Sequence, residues 1–390
     1  MNYNNNIAKQ TSGILRVSCC LLFMLFSFCY LYFLEGDTLA QAQFVFSHGL
    51  TTYSILVGAI MLTLLLQFIQ WLICQVFRFP WEYYALSYFP SLLGLAMLTD
   101  LSWKAVEHYS FGRWIWLGPL LLAVFVLLVF LIRKTRRGDD DNDTMSLLWR
   151  NYLLLFLQLL GCGAVSNTKD TFSYELLTER LVMNQDYEAA ARVADRSLVT
   201  SRRLTELRMF ALSKQGRLPE CLFDYPQYDG AAGLLSIADT SSLHRFGPLS
   251  ICYSLGAIPS RKTIHSAGQY LMVMNRVDSL RTAATQDYYL CYLLLDKNLV
   301  AFSENLKKYY REDTTTYLPR AYREAVLYIN NVYRKKIHPL DFAIDTETAQ
   351  RFSQYVQRKA EIADERERIN LTRREFGNTF WWYYEYQAKP

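Results

Sequence analysis

The chain has 390 residues, 52% of them hydrophobic and 15% aromatic, with a net charge of +5 and a mean hydropathy of +0.02. That mean averages two unlike halves, five long apolar runs before residue 166 and water-soluble, helix-patterned sequence after it. Basic and acidic residues nearly balance after Val165, which excludes the clustered basic face of a nucleic-acid-binding protein. Cys19, Cys20, Cys29 and Cys74 lie inside apolar runs, where they act as small hydrophobes, so no disulfide scaffold is expected.

Residues 1–13 form a polar, cytoplasmic tail. From Ile14 the run ILRVSCCLLFMLFSFCYLYFL is long enough to cross about 30 Å of hydrocarbon. Ala40-Gln41-Ala42 resembles a signal-peptide cleavage site, but the run exceeds a signal core in length and reads as an uncleaved anchor. Spans are predicted at about 14–34, 54–77, 83–101, 114–132 and 147–165, giving a five-span transmembrane bundle over 14–166. Trp114 and Trp116 stand at the entrance of the fourth, where aromatic rings favour the headgroup level. The fifth is the least apolar, with Arg150 and Asn151 at one end and Gln158 in its middle. Gln67, Gln70 and Gln158 are assigned to hydrogen bonding between helices.

Lys and Arg set the orientation. The loop Glu35–Leu50 has neither, whereas Arg133, Lys134, Arg136 and Arg137 follow the fourth span directly. Both facts put the N-terminus inside, and five crossings leave 167–390 outside. The expected location is a bacterial inner membrane, with the C-terminal domain periplasmic. The run Asp139-Asp140-Asp141-Asn142-Asp143 reads as a solvated hinge in the last inner loop.

From Thr171 the period becomes that of amphipathic helices. Tyr187, Ala190, Ala191, Ala194 and Leu198 share one helical face. Similar turns precede successive helices: Asn184-Gln185-Asp186, Lys214-Gln215-Gly216 and Asp296-Lys297-Asn298, with Gly256 marking a further pair. Their drifting period implies an all-α, degenerate tetratricopeptide-like alpha-solenoid over 167–390, an ordinary helical bundle being the alternative. The aromatic end, GNTFWWYYEYQ, is expected to cap the last apolar face. Cys221 and Cys252 lie in neighbouring units, and a disulfide between them is left open.

The stretches DYYLCYLLLDKNLVAFSENLKKYYRE, LPRAYREAVLYINN and GNTFWWYYEYQ resemble the C-terminal part of an uncharacterised family of bacterial multi-pass membrane proteins with a tetratricopeptide-like helical domain. The resemblance rests on packing and turn residues. It implies a fold and a membrane location but no catalytic residue.

The search for chemistry is mostly negative. The chain has no P-loop, no nucleophile elbow and no His-Glu-x-x-His pair, and its five histidines are scattered. No cofactor and no metal are expected. Weak catalytic candidates are Glu35 and Asp37, which follow the first span much as in membrane glycosyltransferases that use lipid-linked sugars, and Glu107 and His108 in TDLSWKAVEHY. Their plain reading is ordinary loop and interfacial charge. Tyr288, Tyr289, Tyr292, Tyr309 and Tyr310 are candidate partner-binding anchors or, equally, packing residues. The expectation is a membrane-anchored scaffold that contacts the lipid bilayer, binds a periplasmic protein or peptide and does not bind nucleic acid. The alternative is a component of a lipid-linked sugar transferase or transporter.

Overall fold

The computed structural model describes residues 2–77, 79–101, 112–135, 144–165, 170–237, 244–259, 264–311, 317–334 and 337–387, and every regular element among them is helical. The chain divides into two compact units, Met1–Ser173 and Tyr174–Pro390.

In the first unit, α1 (Asn2–Cys29) runs on through a wider-turned segment, Tyr30–Leu34, and is followed by α2 (Gly36–Phe46) and α3 (Ile55–Phe77). A 3-10 segment, Trp81–Tyr88, leads into α4 (Phe89–Thr99), and α5 (Trp114–Thr135) and α6 (Thr144–Val165) complete the set. Four stretches are long and apolar enough to cross a membrane: Gly13–Leu34, Ile55–Phe77, Trp114–Lys134 and Met145–Val165. Leu25, Val57, Leu64, Phe130 and Leu160 on these stretches are exposed, a distribution suited to lipid rather than water. Ala40, Gln41 and Ala42 are buried within α2.

The predicted span 83–101 is not one helix. Pro90 is the physical reason: it has no N–H to donate to the Leu86 carbonyl, and its ring would collide with that carbonyl in a continuous α-helix. The segment instead tightens to 3-10 geometry up to Tyr88 and starts a fresh helix with proline in the first turn. Eight residues at about 2.0 Å and eleven at about 1.5 Å still cover roughly 32 Å.

Side-chain pairs fix the direction of each apolar element relative to this segment. Arg16 lies 4.3 Å from the Trp81 ring, Phe23 packs on Tyr88 at 4.8 Å, and the Tyr30 and Thr99 hydroxyls are 3.3 Å apart, so α1 runs parallel to it. Gln70 donates to Ser87 and Ser91 to the Leu66 carbonyl, so α3 runs antiparallel. Trp114 donates to Asp100 and Phe125 packs on Phe89, so α5 is antiparallel too. Asn151 bonds to Trp81, Glu82 and Ala85, and Cys162 donates to the Leu92 carbonyl, so α6 is parallel. The five apolar elements therefore alternate in direction along the chain.

The second unit begins within α7 (Asp170–Met183) and continues through α8 (Tyr187–Arg192), α9 (Arg202–Lys214) and α10 (Leu218–Cys221). Beyond them lie α11 (Pro248–Leu255), α12 (Ala267–Arg276), α13 (Ala283–Leu295) and α14 (Leu299–Tyr309). Last come α15 (Arg320–Val332), α16 (Thr346–Glu361), α17 (Glu365–Phe376) and α18 (Phe380–Tyr386). The three predicted corners share one construction. Gln185, Gly216 and Lys297 each take a left-handed φ, of 62°, 69° and 59°. At each corner the left-handed residue donates three residues back and its successor five back, the pair of bonds that closes a helix end. Asp186 and Asn298 then cap the following helix by accepting from Ala189 and Ala301.

Beyond the hairpins the unit departs from nearest-neighbour stacking. The Arg320 backbone N–H donates to Glu220 at 2.6 Å, its guanidinium pairs with Asp224 at 2.7 Å, and Gln387 donates to the Gln227 carbonyl at 2.8 Å. Helix α18 is not a cap at one end but an insert in the shared core. Phe380 and Trp381 are fully buried, and the Tyr383 hydroxyl donates to the Leu295 carbonyl at 2.7 Å. A solenoid repeat contacts only its neighbours, whereas here the last helix ties α13, α15 and the segment after α10 together. The cysteines are free thiols, Cys221 and Cys252 included, and burial pushes the Cys252 thiol up to about 12.

Candidate functional site

Glu35 is no open loop carboxylate. It sits at the join of the Tyr30–Leu34 segment and α2, is 7% exposed, and accepts from the Tyr30 hydroxyl at 3.3 Å. Asp37 is half-buried in the first turn of α2. Asp100 nearby takes bonds from Arg113 and from the Trp114 indole, both at 2.7 Å. Glu107 and His108 lie outside the described residues, as does the acidic run 139–143. Among the described residues no group of three or more His, Cys, Asp or Glu could hold a metal ion.

The five tyrosines do not gather into an open face. Tyr288 is fully buried and Tyr289 nearly so, inside the core of the second unit. Tyr292 packs on Gly268, where an added Cβ would meet its ring at 2.7 Å. Tyr310 donates to Asp287 at 2.9 Å and stands edge-on to Tyr322, and Tyr309 is half-buried. Packing between helices accounts for Tyr288 and Tyr289, because α13 is covered on several sides and has no free face at those positions.

The sequence reading missed a cleft of about 360 Å³ in the second unit. Its floor comes from the segment after α10, with Phe223 and Gln227, and from α18, with Trp382 and Tyr383. Its walls carry Arg351 from α16 and Arg373 and Arg374 from the last turn of α17. Arg351 donates to the Asn378 side chain at 2.6 Å, and Arg373 donates to the Tyr228 hydroxyl at 2.9 Å while its guanidinium lies 5.8 Å from the Trp382 ring. The corner between α17 and α18 is tight: a Cβ at Gly377 would run into the Arg373 carbonyl oxygen. That corner keeps the last turn of α17 over the cleft.

The electrostatics of this cleft are one-sided. Asp224 and Glu375 also line it, but Asp224 is held by Arg320 at 2.7 Å and Glu375 by Arg358 at 3.4 Å. Among the described residues, none of the three wall guanidiniums has a carboxylate within 4.0 Å. Other arginines of the unit do pair with carboxylates, as in the buried cluster of Arg203 and Arg245 with Glu179 and Glu206. The cleft wall also includes two buried side chains with unpartnered atoms, the Trp382 indole nitrogen and the Gln227 amide oxygen. Three guanidiniums without a carboxylate partner among the described residues make a site that can hold an anion. The one sequence signal was the pair Arg373-Arg374 beside an aromatic run, which reads as a solvated helix end until the fold brings Arg351 and Tyr228 alongside.

No curated protein and no solved structure matches the chain. A family model does match, over residues 107–260 and 260–387, which is more than half of the chain and runs from before α5 to the end of α18. The chain therefore belongs to DUF6057, a family of unknown function.

Proposed function

We propose that this chain is a membrane-anchored scaffold of the bacterial inner membrane that crosses the bilayer five times and presents its helical C-terminal unit in the periplasm to bind a protein or peptide partner. The observation that carries this reading is the alternating direction of the five apolar elements, fixed by pairs such as Tyr30 with Thr99 and Trp114 with Asp100. Alternation with an odd number of elements delivers residue 165 to the side opposite the N-terminus. The Lys/Arg pattern supports the sense, since Arg133 and Lys134 close α5 while Glu35–Leu50 has no basic residue. A tetratricopeptide-like organisation is proposed for α7 to α14, on the strength of three corners built alike, with the later helices closing over them. Binding is supported by a cleft whose wall offers guanidinium donors.

Two measurements test this. Export-dependent reporters fused after Val165 are expected to be active and cytoplasm-dependent ones silent; the reverse overturns the topology. Crosslinking in native membranes with the full chain is expected to recover a periplasmic partner over a control lacking residues 174–390. Recovery of none leaves the scaffold reading without support. Turnover of a polyprenyl-phosphate sugar that Glu35→Gln abolishes would replace it with the transferase reading.

A further inference from the structure

The cleft beneath Arg351, Arg373 and Arg374 has a chemistry more specific than partner binding, and we propose that it is a receptor for a phosphate dianion. The inference rests on reading this unit as a binding module and names what the module holds. A guanidinium presents a planar fork of donors, and one carboxylate, with two coplanar oxygens, is filled by a single fork. Here three guanidiniums come from two helices, and among the described residues no carboxylate lies within 4.0 Å of any of them. A phosphate monoester offers three acceptor oxygens in tetrahedral array and a charge close to −2. It can accept from more than one of the guanidiniums that line this cleft, where a lone carboxylate is filled by one. The two acids in the wall each have an arginine partner outside it, Asp224 in Arg320 and Glu375 in Arg358.

The rest of the wall agrees. Trp382 is 9% exposed, and its indole N–H, a donor, keeps no partner among the described residues. Unmet polar atoms in buried side chains are expensive unless a ligand or water completes them. Among the described residues, exposed Arg374 has no polar partner, and exposed Arg373 has the Tyr228 hydroxyl. Their structural value is small, so a binding role is separable from folding. A cleft of about 360 Å³ lies at the lower end for small-molecule sites and suits a phosphate with a short apolar or glycosyl portion over Phe223, rather than a large ligand. The phosphate can belong to a soluble ester or to a lipid headgroup, and the two share this chemistry.

The test uses the full chain in nanodiscs of uncharged lipid, titrated calorimetrically with inorganic phosphate and with glycerol phosphate at low salt. Saturable binding is expected, and for glycerol phosphate it should weaken as pH falls through about 6, where the ester takes up its second proton. Arg373→Gln with Arg374→Gln should weaken it at least tenfold and up to about a hundredfold, the loss typical of charge-assisted bonds. Arg374→Lys, which keeps the charge but loses the fork, should fall between. Unchanged melting of each variant separates lost binding from lost fold. In nanodiscs containing phosphatidic acid, occupancy by the headgroup would suppress the soluble phosphate isotherm and assign the site to lipid, while an unaltered isotherm assigns it to a soluble ester. No saturable binding, equal binding by the double variant, or preference for an acidic peptide that carries only carboxylates would each overturn the inference. A partner crosslinked equally by wild type and double variant, with no phosphate bound by either, would leave the scaffold reading standing alone.

Discussion

Asn151 is fully buried, and its amide does for residues 81–85 what the backbone of a regular helix does for itself. Its oxygen accepts from the Ala85 N–H at 2.9 Å, and its nitrogen donates to the carbonyls of Trp81, Glu82 and Leu147. Broken helices survive at membrane depth only where such groups are met from neighbours. An average side-chain bond between membrane helices contributes about 0.6 kcal/mol. Asn151→Leu strands several backbone groups together, so a loss of roughly 1–3 kcal/mol is expected in reversible unfolding of the micelle-embedded chain. A loss no greater than the average pair would show that water already serves those groups. The sequence marked Asn151 only as a polar blemish at a span end. Its partners are some seventy positions away, and no local pattern could supply them.

Burial also decides how the second unit responds to pH. Desolvation raises the carboxyls of Glu179, Glu206 and Glu324 above their ordinary range, outweighing Arg203 for the first two and Arg320 for the third. Asp287 is raised for the same reason, against bonds from Tyr310 and Tyr322. A raised acid holds its proton more tightly folded than unfolded. Its contribution to stability is therefore complete below the unfolded pKa, near 4.5 for Glu, and is lost as pH rises through the folded value. Asp345 runs the other way: burial raises its carboxyl, but bonds from Thr348 and the Arg323 charge win and lower it, so its share is lost only in stronger acid. The melting midpoint is expected to be higher at pH 5 than at pH 8, and Glu324→Gln should flatten that slope. A wild-type midpoint that climbs steadily to pH 8 would mean the arginines dominate.

At the scale of elements, the corners were legible and the third apolar run was not. Gln185, Gly216 and Lys297 take the left-handed φ that their turns required, because a helix that ends against a partner needs one such residue whatever follows. Two of the three are not glycine and bear the strain of a side chain there. Gln185→Gly is therefore expected to stabilise the unit by about 0.5–1 kcal/mol, read as a raised midpoint. Lys297 is a poor site for the same change, since its ammonium donates to the carbonyls of Tyr384 and Gln387 and holds the end of α18. A lowered midpoint for Gln185→Gly would mean that freedom gained by the unfolded chain outweighs the relief. The run 83–101 read as a plain span because hydropathy ignores Pro90. The proline was the available signal, and the satisfaction of the 3-10 carbonyls by α6 was the unavailable one.

At the scale of the molecule, composition and the two hydrophobic periods were enough to read an all-helical chain with an apolar half and a polar half. The return of the C-terminus was beyond them, because GNTFWWYYEYQ looks alike whether it caps an end or fills a centre. Its placement yields a sharp expectation. Trp381 is fully buried, with Phe352 at 5.2 Å and Tyr355 at 6.1 Å, while Phe380 beside it donates its N–H to Glu324. Trp381→Ala should cost roughly 3–5 kcal/mol, a large part of what a domain has. In a nearest-neighbour array that damage would stay in the last helices and leave the early hairpins protected. Here α18 reaches α13 through Tyr383 and the segment after α10 through Gln387, so the loss should loosen α9 and α13 together with α16 and α17. Hydrogen exchange on the full chain in micelles reads this directly. Faster exchange confined to residues 346–387 would mean the unit behaves as stacked repeats after all, and faster exchange reaching 202–214 and 283–295 would establish one cooperative core.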